Sequence, residues 1–153
     1  MTNSNSFSGR YLLLSVKRAY AQKIMDGTKI IEVRRTIPKV IPGDRMLLYM
    51  AAPVKGIVAE LEITSLINAK DANALWQIVG QHSGIEHPLF VRYFAGAKHF
   101  CGIGVSVIQI FPTKVSAAAM RELFGITPPQ SYQYLTPLQA DELIAYGVSR
   151  TYD

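Results

Sequence analysis

Apolar positions along this chain fall into short blocks whose spacing switches between a period of two and a helical period. Tyr11-Leu-Leu-Leu-Ser-Val-Lys17 is nearly continuous, the pattern of a buried strand. In Arg18–Asp26 the residues Tyr20, Ala21, Ile24 and Met25 share one helical face, and Gly27 stands where a helix terminus takes a left-handed residue. Thr28–Thr36 predicts a strand on its β-branched Ile30, Ile31 and Val33. Pro38 to Pro42 is a turn, Gly43-Asp44 leads into a strand over Arg45–Ala52, and Pro53 breaks it. Val54–Ile67 predicts a long strand in which Ile57, Ala59, Leu61 and Ile63 alternate with Val58, Glu60, Glu62 and Thr64, a half-exposed pattern.

Two helices follow, Ala72–Gln81 around Trp76 and Glu86–Ala95, separated by Ser83-Gly84. His99–Phe111 is another strand, with Gly102 and Gly104 permitting a bulge or a close backbone approach. Ser116 caps a helix to Phe124 that stops at Gly125. Thr136-Pro137-Leu138-Gln139 joins an N-cap, a first-turn proline and a capping-box glutamine, opening a helix that ends at Gly147. About five strands and four or five short helices, without βαβ alternation, predict an α+β fold with a curved mixed sheet or small β-barrel flanked by short helices.

Composition adds that there is core to build with: 153 residues, 49% apolar and 18% charged. Length suits one domain, with a flexible polar tail over 1–9, a core over about 11–112 and a helical extension over 113–153. One cysteine, Cys101, excludes a disulfide framework, and no Cys/His cluster has zinc-site spacing, so no metal and no cofactor are expected. Cys101 sits in an apolar strand and reads as a small core residue. His82, His87 and His99 read as surface or core residues, Asp44 as a turn residue, and Met46, Met50 and Trp76 as core. Met1 to Gly9 is polar rather than basic and then apolar, and no apolar run approaches the ~20 residues of a membrane span. A cytoplasmic protein with no membrane partner is the expectation.

Charge is uneven. Residues 1–55 hold ten basic side chains and three acids, whereas the rest hold six and eight. Gathered on one surface, the first third would present a basic patch to a polyanion. Within it lies Gly27-Thr28-Lys29-Ile30-Ile31-Glu32-Val33-Arg34-Arg35. Glu32 and Arg34 point to the same face of a strand, while strict alternation puts Lys29 on the other, from which its long stem can swing toward the same cleft. Three readings stand: an acid that accepts hydrogen bonds from a nucleobase amine beside cations that hold phosphate, a general base on water with an oxyanion partner, or an ordinary surface ion pair.

The string Gly27-x-Lys29-x-x-Glu32-x-Arg34, preceded by a short helix with Tyr20-Ala21 and Ile24 and followed by Gly43-Asp44 and a strand, resembles the signature of the ASCH domain family. The resemblance covers roughly Tyr11 to Phe111. It implies a PUA-like β-barrel and a cleft lined by Lys29, Glu32 and Arg34 that takes RNA or a modified nucleoside. One branch of the family is an amidohydrolase on N4-acetylcytidine that uses a lysine, a threonine nucleophile and a glutamate. Lys29 matches the lysine, Glu32 stands where that threonine belongs, and Glu86 is the nearest counterpart of the glutamate. Other members are described as ribonucleases or RNA-binding regulators.

Pro128-Pro129-Gln130-Ser131-Tyr132-Gln133-Tyr134 resembles an extension of some longer bacterial ASCH proteins and reads as a proline-stiffened loop. Its tyrosines suit base stacking and its amides suit base edges, or the rings simply pack the segment down. Arg92-Tyr93-Phe94 and Lys98-His99-Phe100 interleave basic and aromatic residues in the same way, though helix burial explains most of that pattern. The expected ligand surface is therefore Lys17, Tyr20, Lys29, Glu32, Arg34, Arg35, Gln130 and Tyr132. Were the protein a hydrolase, Lys29 and Glu32 would carry the chemistry.

Overall fold

The computed structural model describes Phe7 and residues 9–149. Along the chain run β1 (Tyr11–Val16), α1 (Arg18–Asp26), β2 (Ile31–Arg34), β3 (Arg45–Met50), β4 (Gly56–Ala69), α2 (Ala72–Val79), α3 (His87–Phe94), β5 (Phe100–Ser116), α4 (Ala117–Phe124), β6 (Tyr132–Leu135) and α5 (Pro137–Ser149). The strands form one sheet in the order β2-β5-β4-β3-β1-β6. β1 and β3 are parallel, and the remaining neighbours are antiparallel. Register shifts between Ile57/Ala59, Glu60/Leu61 and Ile63/Ser65 bend the long β4–β5 pair. Each such irregularity sharpens the local twist, and together they curl the sheet into a half-barrel.

Alternation along β1 sends Leu12, Leu14 and Val16 into the barrel, where they meet Met46, Leu48, Leu61, Ile63 and Ile103, plus Ala21 and Ile24 from α1. Tyr11 and Leu13 go to the outer face, which α4 and α5 cover with Met120, Ala140 and Leu143. A strand buried on both faces is what its unbroken apolar run requires. Ile31 and Val33 of β2 pack on Leu75, Val79, Phe90 and Phe94 of α2 and α3, so Glu32 and Arg34 face the other way. Cys101 is buried core, and burial pushes its thiol up to about 11. A Cβ on Gly104 would collide with the Ser65 hydroxyl, which is the close approach its position in β5 implied.

Helix punctuation follows the local signals. Gly27 has φ 87° at the end of α1, and Gly125 has φ 66° at the end of α4. Ser116 Oγ accepts from Ala119 N at 3.1 Å. Thr136 and Gln139 form the reciprocal capping box at 2.9 and 3.1 Å. Among the described residues no helix is long and apolar enough to cross a membrane.

Four expectations need correction. The strand expected over Thr28–Thr36 narrows to Ile31–Arg34, and the one expected to stop at Phe111 runs on to Ser116. The loop expected around Tyr132 contains β6, a sixth strand that exists because it pairs with β1 from Tyr11↔Leu135 to Leu14↔Tyr132. Glu60, expected on a solvated face, is 3% exposed. Its carboxylate accepts from Tyr11 Oη (3.1 Å), Arg45 Nη1 (3.2 Å) and Gln109 Nε2 (2.8 Å), partners contributed by three other strands. The polar tail expected over 1–9, apart from Phe7 and Gly9, and the last four residues of the extension lie outside the described residues.

The Glu60 cluster gives a pH prediction. Burial is the main cause that raises the Tyr11 phenol from 10.0 to about 12. The unfolded chain thus releases this proton first, and the stability that Tyr11 contributes is lost as pH rises from about 10 through 12. Tyr11→Phe is expected to flatten the alkaline fall in the unfolding free energy, measured by urea titration, by up to about 1.4 kcal/mol per pH unit over that window. An unchanged slope would show that another group controls it.

Candidate nucleic-acid interface

The site begins where the chain leaves α1. Gly27 turns it, Lys29 follows, and the lysine side chain passes beneath β2 with no exposed surface. Its ammonium donates to the Ser83 carbonyl, lies 3.3 Å from Glu32 Oε1 and sits 5.4 Å from the Tyr20 ring centre. Gly84, at φ +67°, lets the loop close on the Lys29 stem, where a Cβ would be 3.1 Å away. Lys23 grips the same loop through the Gly84 carbonyl at 2.9 Å. Burial depresses the Lys29 pKa, opposed chiefly by the Glu32 charge.

Arg34 completes the row. Its Nε and Nη2 lie 3.1 and 2.9 Å from Glu32 Oε2. Nη2 also donates to the Ser15 carbonyl at 2.7 Å, and Nη1 to Ser131 Oγ at 3.2 Å. β2 is one edge of the sheet and β6 the other, so this guanidinium bridges the open seam of the half-barrel. Glu32 is therefore held by one cation on each oxygen. A surface ion pair does not describe it: Glu32 is 7% exposed and Lys29 1%.

A cleft of about 530 Å³ opens on the seam side of this row, within the range of small-ligand sites. Glu32, Arg34 and Ser15 stand at its polar side. Tyr20 of α1 and Tyr93 of α3 supply aromatic surface, Ile85 and Leu89 an aliphatic wall, and Lys17, Arg92 and Gln130 polar groups around it. Tyr93 is 37% exposed, and the burial of the rest of its side chain raises its pKa against the opposing Arg34 charge.

Of the residues that the sequence singled out, Lys17, Tyr20, Glu32, Arg34 and Gln130 meet in this cleft. Lys29 stays behind Glu32 and lines a separate, smaller hollow. Arg35 is exposed just beyond β2. Tyr132 packs against the inner core, its ring 6.0 Å from that of Tyr134. Glu86 is exposed at the start of α3 and does not line the cleft. Sequence reasoning missed Ser15, Ile85 and Leu89, and gave Arg92 and Tyr93 little weight. The signal was present: in Arg92-Tyr93-Phe94 only Phe94 is buried core, which leaves the first two for the cleft.

The ASCH domain model matches residues 14–113, a span that contains Lys29, Glu32, Arg34 and the α3 wall. The chain belongs to the ASCH domain family. An "ASCH domain-containing ribonuclease" of Zymomonas mobilis is 24% identical over 135 residues, 87% of this chain and 89% of its own. The crystal structure of ASCH from the same organism superposes with a TM-score of 0.80 at 23% identity, covering 88% of this chain and 94% of that one. Human THYN1, solved in complex with 5-methylcytosine-containing DNA, gives 0.57 at 12% identity over 93% and 99% of the two chains. These likenesses place the ASCH half-barrel in the PUA-like fold. Gln130 and Ser131, which complete the cleft and its seam, lie beyond the matched ASCH span.

Proposed function

We propose that this protein binds single-stranded RNA and seats one unstacked base in the Glu32/Arg34 cleft. The observation that carries the reading is the combination in one cleft of two tyrosine rings, a fixed acid–guanidinium pair and the cations Lys17 and Arg92. Aromatic faces take a base by stacking, a carboxylate accepts from an exocyclic amine, a guanidinium donates to a carbonyl, and the cations meet phosphate. The ribonuclease name of the Zymomonas relative and the DNA in the THYN1 complex support a nucleic-acid ligand.

The relative's name also favours a second reading, cleavage of the bound strand. In it Glu32 takes the proton of a ribose 2′-hydroxyl as the 2′-oxygen attacks the adjacent phosphorus; a 2′,3′-cyclic phosphate forms, the P–O5′ bond breaks, and the departing 5′-oxygen takes a proton from water. Arg34, Lys17 and Arg92 face the cleft and would meet the phosphoryl charge, while Lys29 acts from behind as the counter-charge that positions Glu32. An amidohydrolase acting on N4-acylated cytidine is the weaker form of this reading, because no hydroxyl nucleophile stands at position 32 and Glu86 is outside the cleft.

One experiment separates these. Mixed-sequence single-stranded RNA and N4-acetylcytidine are each incubated with the protein at low salt, with bound fraction and product followed together. Binding is expected to weaken steeply with salt, and Lys17→Ala and Arg92→Ala each to lower the log–log slope by about 0.7. RNA fragments that vanish with Glu32→Gln, while that variant keeps its folded circular dichroism and its affinity for RNA, would establish the second reading. Cytidine release would revive the amidohydrolase, and no affinity for RNA at low salt would end the first.

A further inference from the structure

The seam that carries the cleft continues past it. Two hydrogen bonds cross the gap between the chain leaving β2 and the chain entering β6: Arg34 Nη1 to Ser131 Oγ, and the Lys39 backbone N–H to Tyr134 Oη at 2.7 Å. Position 34 is bridged to 131 and 39 to 134, so the two segments run side by side in the same direction. At the far end of this seam lies a second groove of about 690 Å³, lined by Arg10, Lys39, Ile41, Asp44, Leu135 and Pro137. Ser15 at the cleft and Arg10 at the groove are five steps apart along an extended chain, roughly 17 Å.

The groove has the chemistry of a nucleotide subsite. Arg10 and Lys39 are exposed cations. Asp44, the acid of this groove, is 4% exposed, and its carboxylate oxygens accept from the backbone N–H groups of Arg10 (3.0 Å) and Ile41 (2.9 Å), so it does not face a ligand as a free anion. Ile41 in the lining is 67% exposed, and beside the groove stands Tyr134, 43% exposed, whose hydroxyl accepts from the Lys39 N–H. Cations beside an exposed ring and apolar surface suit a phosphate followed by a base.

We infer that the ligand of the cleft is a strand and not a free nucleoside, and that its continuation runs along the seam past Tyr134 into the Arg10/Lys39 groove. This rests on the reading of the cleft as a base site. A nucleoside in the cleft alone would leave the second groove without a role.

The test compares cytidine 5′-monophosphate, a trinucleotide and a longer mixed-sequence RNA as probes of the full chain by fluorescence competition and calorimetry. Affinity is expected to rise more than tenfold from the mononucleotide to the longer RNA. Tyr134→Ala is expected to weaken the longer RNA about tenfold and leave the mononucleotide unchanged, with Tyr134→Phe restoring binding because the ring is retained. Lys39→Gln, at an exposed position, is expected to lower the salt slope for the longer RNA by about 0.7 and to do nothing to the mononucleotide. Affinity that does not rise with length, or longer-RNA binding indifferent to both Tyr134→Ala and Lys39→Gln, overturns the inference and leaves the cleft reading intact. Failure of every probe to bind overturns both.

Discussion

Glu32→Leu is expected to destabilise the fold by about 3–5 kcal/mol, the cost of leaving a buried charge without its partner. The side chain of Lys29 has no exposed surface, and its other contacts, the Ser83 carbonyl and the Tyr20 ring, supply no negative charge. Arg34 loses the same carboxylate, though it keeps its bonds to Ser15 and Ser131. Urea titration at neutral pH measures the loss, and Lys29→Met combined with Glu32→Leu should recover most of it, since two apolar groups replace the pair. The pH dependence has a definite sign. Lys29 has a depressed pKa when folded, so the folded state gives up that proton before the unfolded chain does at 10.5. The burial cost therefore falls as pH rises toward 10.5, and the Glu32→Leu deficit should shrink over the same range. A loss below about 1 kcal/mol at neutral pH would show that the lysine does not depend on Glu32, against typical buried-pair behaviour.

The second large effect is expected from Arg34→Lys, which keeps the charge and loses the fork. Three groups converge on the guanidinium, namely Glu32, the Ser15 carbonyl and Ser131 Oγ, and they lie on different chain segments. A lysine ammonium cannot span them in one plane. The expected result is about 2 kcal/mol of lost stability, from charged hydrogen bonds not replaced, and at least a tenfold loss of RNA affinity as the cleft loses its fixed donor. Denaturation and RNA titration on the same preparation measure both. Unchanged values in both would show that the seam holds without the guanidinium.

Much of this fold was legible because its signals are local. Gly27, Ser116 with Gly125, and Thr136 with Gln139 mark helix ends within a few residues of the positions they control. β6 was not legible: four residues with a proline-rich approach become a strand only through β1, more than a hundred positions away. The burial of Glu60 was hidden for a related reason, since it depends on a register shift beside it and on Tyr11, Arg45 and Gln109. In the site, alternation alone placed Glu32 and Arg34 together. The place of Lys29 was not readable from that rule, because it is set by a carbonyl 54 positions on, at Ser83. Arg92 and Tyr93 were lost in a helix whose core face is carried by Phe90 and Phe94.

The way the half-barrel is joined has a further consequence. Backbone ladders fix neighbouring strands about 4.8 Å apart, so a barrel closed by main-chain bonds can change its girth only in whole-strand steps. Here the last interval, between β2 and the β1/β6 side, is spanned by the Arg34 side chain. Its width is set by a rotamer and by the loop that carries Ser131. Changing that one side chain or that one loop would therefore alter the width of the opening while every strand register of the sheet stays as it is.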